Sequence, residues 1–102
     1  METYRVIVSE RAKQMLTENL RFAAKAGKAN AHKTRQRLIA AMRSLETMPN
    51  RYPFFQEAYI PANRYHKMFV EKWYLILYQI QDDRVLVDYI IDGRQDYAWL
   101  FK

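Results

Sequence analysis

Apolar residues follow two different rhythms along this chain, and the change comes near its middle. Between Met15 and Leu45 they recur every three or four positions, whereas from Arg64 to Ile91 they form short blocks of β-branched and aromatic residues. The first rhythm predicts helices and the second predicts strands.

Tyr4-Arg-Val-Ile-Val8 predicts an opening strand, with Ser9 placed to cap the helix that follows. Met15, Leu16, Leu20, Ala23 and Ala24 give that helix one apolar face, and Gly27 is its expected stop. Ala12 stands three residues after Ser9, so no capping box forms. Asn30 is the expected cap of a second helix, whose stripe of Leu38, Ala41, Met42 and Leu45 ends before Pro49. Positions 49–61 hold all three prolines with Tyr52, Phe54, Phe55 and Tyr59, which predicts an irregular connector anchored on the core by aromatics. Three runs then read as an antiparallel meander: 64–70, 73–80 and 85–91. The order β-α-α-β-β-β in residues 1–102 defines a single α+β domain. In it a helical hairpin packs on one face of a small, mostly antiparallel sheet and leaves the other face uncovered.

Alternation sorts the strand residues by face. Arg64, His66, Met68 and Val70 share one side of the first late strand, and Tyr65, Lys67 and Phe69 share the other. With the Met68 side against the helices, His66 reads as structural and Lys67 with Tyr65 points outward. The run from Trp73 is apolar on both faces, as expected of a strand in the middle of the sheet. By the same count Asp88 and Asp92 fall on one face, a weak candidate for an acid and base pair.

Composition narrows the chemistry. There is no cysteine, which removes disulfides and thiolate metal sites and fits a reducing compartment. No apolar run reaches membrane-spanning length and the first residues do not form a secretory signal, so a cytoplasmic protein is expected. The net charge is +6. Arg11, Lys13, Arg21, Lys25, Lys28, Lys33, Arg35, Arg37 and Arg43 all precede Leu45, giving the helices a cationic surface suited to polyanions or an acidic protein. The alternative is that these side chains simply solvate two amphipathic helices.

After the last strand, Arg94, Gln95, Asp96 and Tyr97 place a fixed cation, an amide, a carboxylate and a phenol within four positions. A guanidinium at Arg94 suits phosphate recognition or stabilisation of a phosphorane-like transition state. An ion pair with Asp92 or Asp96 that fastens the tail is the competing reading. Nucleotide, zinc and calcium motifs are absent from the sequence, as is any Ser-His or Cys-His pattern, so neither a metal nor another cofactor is expected.

Three segments together carry a family resemblance: Arg64-Tyr-His-Lys67, Tyr74-Leu-Ile-Leu-Tyr78 and Ile91-Asp-Gly-Arg-Gln-Asp-Tyr97. Over essentially its full length the chain resembles the RelE/ParE superfamily of toxins from type II toxin-antitoxin, or plasmid stabilisation, systems. The resemblance implies two helices on a small antiparallel sheet, and a growth-arresting toxin neutralised by a cognate antitoxin. An acidic antitoxin segment is then expected to fold onto the basic helices and the sheet. RelE-like members cleave mRNA on the ribosome, and ParE-like members poison DNA gyrase without nuclease activity. On the first reading, taken here as the leading expectation, Arg94 stabilises the phosphate, Lys67 supplies charge or a proton and Tyr97 is the acid or base. Arg64, Tyr65 and Gln95 then contact RNA. The chain departs from the RelE-like set at Leu75, at Gln95 and at Phe101, where the family pattern has an arginine, a basic residue and a tyrosine. Those departures motivate the alternatives, a gyrase inhibitor or an inactive, antitoxin-binding regulator.

Overall fold

The computed structural model describes residues 3–57 and 60–93. Arg94, Gln95 and Tyr97 therefore lie outside the described residues. Strand β1 (Arg5–Val8) leads into helix α1 (Glu10–Ala23), and a short 3₁₀ turn (Ala24–Ala26) joins it to helix α2 (Lys28–Arg43). Two further 3₁₀ turns (Ser44–Glu46, Pro49–Arg51) precede strands β2 (His66–Val70), β3 (Tyr74–Gln81) and β4 (Arg84–Asp92).

Local chemistry explains most of these boundaries. Ser9 caps α1, its hydroxyl oxygen accepting from the Ala12 amide at 3.0 Å, and Glu10 complements the positive end of the helix dipole. Gly27 takes φ 130°, a backbone conformation open to glycine, and the chain turns there so abruptly that α2 restarts at Lys28. Asn30 consequently does not cap α2. It sits inside the helix and its amide reaches back to the Ala23 carbonyl at 3.5 Å, serving the end of α1 instead. The link between the two 3₁₀ turns is clasped by Arg51, whose guanidinium donates to the carbonyls of Thr47 (2.6 Å) and Met48 (3.0 Å).

The sheet order is β1-β4-β3-β2. β1 runs parallel to β4, with Val6 opposite Val85 and Val8 opposite Val87, and the remaining pairs are antiparallel. β3, apolar on both faces, lies inside the sheet as its pattern requires. On one face Leu38, Met42 and Leu45 meet Met68, Ile76, Tyr78, Val85, Val87 and Ile90 in the main core. Burial of this set on the helices' apolar stripe is the dominant stabilising contribution.

The opposite face is not bare. Phe55 and Ile60, from the connector before β2, pack with Tyr65 on Leu75, Leu77, Tyr89 and Ile91. The connector also covers the free edge of β2, where the Lys67 amide donates to the Pro53 carbonyl at 2.9 Å and Phe55 donates to Tyr65 at 2.7 Å. Three clustered prolines disfavour a long strand here, but the aromatic residues between them supply enough apolar surface to hold the segment down.

A second departure from strict alternation changes where two carboxylates point. Leu77 faces Tyr89 and Tyr78 faces Val87, so Asp88 is an extra residue, a β-bulge, in β4. The bulge reverses the parity beyond it: Asp88 bonds on the Tyr65 side, while Asp92 pairs with Tyr74 of the main core. The two aspartates are on opposite faces and do not form an acid and base pair.

Candidate functional site

The bulge builds the main polar cluster on the outer face of the sheet. Tyr65, just before β2, donates its hydroxyl to Asp88 Oδ2 at 2.7 Å. The other carboxylate oxygen lies 3.9 Å from Arg11 Nη1 of α1. Arg11 in turn donates to the Tyr89 hydroxyl, and its guanidinium carbon stands 4.7 Å from the centre of the Tyr89 ring. Tyr65 and Tyr89 close the circuit edge to face, with ring centres 5.6 Å apart.

This arrangement fixes proton positions. Burial, and then the hydrogen bond to Asp88, push the Tyr65 phenol well above its usual range, so at neutral pH it donates a proton and cannot act as a base. Its ring is also covered, at 7% exposure, which leaves little face for a nucleobase to stack on. The circuit ties α1, the bulge of β4 and the entry to β2 together. Sequence reasoning missed it because Arg11 and Tyr89 are 78 positions apart and nothing in the local pattern marks a bulge.

Lys67 and Arg64 sit beside this cluster. Lys67 is half-buried on β2 opposite Leu77, on the outer face with Tyr65. Arg64 is exposed, its guanidinium 6.0 Å from the Tyr65 ring centre. The structure thus gathers Arg64, Tyr65 and Lys67 at one place, and the other candidates, Arg94, Gln95 and Tyr97, fall outside the described residues.

His66 lies on the helix face. Its Nδ1 donates to the Tyr52 carbonyl at 2.8 Å, and its ring stacks on Tyr78 at 5.2 Å. Tyr78 donates to the Pro49 carbonyl and is likewise held protonated, by burial. These contacts make His66 a packing residue. Beyond β4, Gly93 donates to the Trp73 carbonyl, and a Cβ at position 93 would stand 2.9 Å from that oxygen. Glycine is needed for this close approach.

Among the described residues no three His, Asp or Glu side chains gather to hold a metal ion, and no helix is long and apolar enough to cross a membrane.

A helical hairpin on a mixed four-stranded sheet, with a basic flank and a clasped outer face, defines a small α+β domain. Residues 6–97 match the family described as ParE toxin of type II toxin-antitoxin system, parDE, and the chain belongs to that family. A chain of the chromosomal ParDE TA system from P. aeruginosa shares the fold, with a TM-score of 0.74 and 13% identity over 88% of this chain and 96% of that one. No curated protein matches the chain. Membership of a toxin-antitoxin family implies a cognate antitoxin as partner.

Proposed function

We propose that this chain arrests growth by binding DNA gyrase, not by cutting mRNA. The observation that carries the reading is the match to the ParE family across residues 6–97. The described outer face agrees with it: the Tyr65 phenol next to Lys67 is buried and committed to Asp88, so it supplies neither a base nor a stacking platform for RNA cleavage. This reverses the leading expectation from the sequence, in which Lys67, Arg94 and Tyr97 formed a nuclease site with Arg64, Tyr65 and Gln95 as its RNA contacts.

The antitoxin is the second partner. Exposed apolar side chains lie at Phe22 on α1 and at Phe69 and Trp73 around the β2–β3 turn. A disordered acidic segment that folds on binding would anchor on such groups while its charge meets Arg11, Lys13 and Arg21 of α1.

Induced expression tests the reading. Growth should stop, rescue should require the neighbouring antitoxin gene, and double-strand DNA breaks should accumulate while transcripts stay whole. Discrete cuts within translated messages would instead establish the nuclease reading, and harmless expression would establish the inactive regulator.

A further inference from the structure

Helix α2 has an unusual charge distribution for a surface helix. Lys28, Lys33, Arg35, Arg37 and Arg43 are all exposed, and the helix contains no aspartate or glutamate at all. Helices whose charges serve only solubility mix both signs and gain from pairs three or four residues apart. Here, among the described residues, only Arg37 has an ionic partner, Glu71 at 3.0 Å. Lys28 even lies in the first turn, against the helix dipole, and no side chain caps that end. Local stability does not account for this pattern, so a partner of opposite charge does.

Spacing organises the cations. Lys28, Arg35 and Arg43 fall at i, i+7 and i+15, which at 3.6 residues per turn is one strip about 22 Å long. Between Arg35 and Arg43 lies a shallow depression floored by Ile39 and Ala40. The exposed large apolar residues of the described chain are all elsewhere, none of them on α2. An acidic protein segment would find only the small patch of Ile39 and Ala40 to anchor on, and a single-stranded nucleic acid would find no aromatic ring to stack on. A regularly spaced phosphate backbone needs neither.

We infer that α2 binds the backbone of duplex DNA along this strip, without sequence preference. This contact goes beyond the gyrase reading and is measured without gyrase. The probe is a fluorescent 20-base-pair duplex of arbitrary sequence, titrated by anisotropy with the full chain. Three neutralised phosphates predict about 40-fold weaker binding on going from about 50 to 200 mM salt. Replacing Lys28, Arg35 and Arg43 together by Gln should remove most of that dependence. Replacing Arg5, Lys72 and Arg84 by Gln, an equal loss of charge away from α2, should leave it in place.

Circular dichroism establishes that each variant folds. Should the triple variant fail to, Arg35→Gln alone should lower the salt slope by about one unit. No duplex binding at 50 mM salt, or equal slopes for the two triple variants, would overturn the inference. Tighter α2-dependent binding of single-stranded RNA would overturn the duplex assignment, and competition by a poly-glutamate peptide at equal charge would show an acidic protein as the occupant.

Discussion

Tyr65→Phe isolates the clasp on the outer face, because it deletes one hydroxyl and leaves the ring packed on Tyr89. The lost bond is a neutral donor to a charged acceptor at 2.7 Å, from an all but buried phenol to a carboxylate only 17% exposed. Bonds of this class contribute about 1.5–3 kcal/mol, and Arg11 at 3.9 Å is too distant to replace it with a direct hydrogen bond. We expect a cost of about 2 kcal/mol, or a melting temperature lowered by roughly 10 °C. Arg11→Gln should cost under about 1 kcal/mol, since that guanidinium is 53% exposed and screened by water. The same variant carries a pH signature. The folded state raises the phenol's pKa, so the stabilisation is complete below the unfolded value of about 10 and is lost as pH rises above it. Each such phenol steepens the alkaline loss of stability by about 1.4 kcal/mol per pH unit, and Tyr65→Phe should remove one phenol's share while Tyr78 retains its own. Urea unfolding at pH 7, and again between pH 10 and 11, measures both effects. An unchanged midpoint together with an unchanged alkaline slope would refute the clasp.

Three further outcomes follow from the same geometry. Gly93→Ala sets a Cβ 2.9 Å from the Trp73 carbonyl, a backbone atom that cannot swing aside, and should cost about 1–3 kcal/mol in thermal unfolding. Met48 is 65% exposed at φ 48°, so Met48→Gly should relieve left-handed strain and raise stability by up to about 1 kcal/mol, whereas Met48→Val should lower it. Lys67→Ala should leave growth arrest within about 2-fold of wild type if no RNA is cut, and an arrest that disappears with Lys67 despite equal soluble protein would restore the nuclease reading.

Much of the fold was legible because burial leaves a period. Leu38, Met42 and Leu45 announced the helix stripe, and the double-sided apolar run of β3 announced a strand flanked on both edges. What stayed hidden was non-periodic. Asp88 is one inserted residue that reverses every side chain after it, so the alternation that sorted β2 correctly misplaced Asp92. α1 ended at Ala23, short of the stop expected at Gly27, and α2 began directly after Gly27, displacing the cap expected at Asn30. The outer face looked open because nothing in the order of residues shows that Phe55 and Ile60 return across it. Arg64, Tyr65 and Lys67 lie side by side because they are neighbours in sequence. The partners that commit Tyr65, Asp88 directly and Arg11 through it, came from distant elements and left no local trace.

Gyrase is the proposed target of this toxin. Titrating the purified full chain into a gyrase supercoiling reaction, with and without its antitoxin, tests it most directly. Loss of supercoiling with accumulation of linear plasmid, reversed by one equivalent of antitoxin, is the predicted result. Full supercoiling at toxin concentrations that halt translation of a defined message would contradict it.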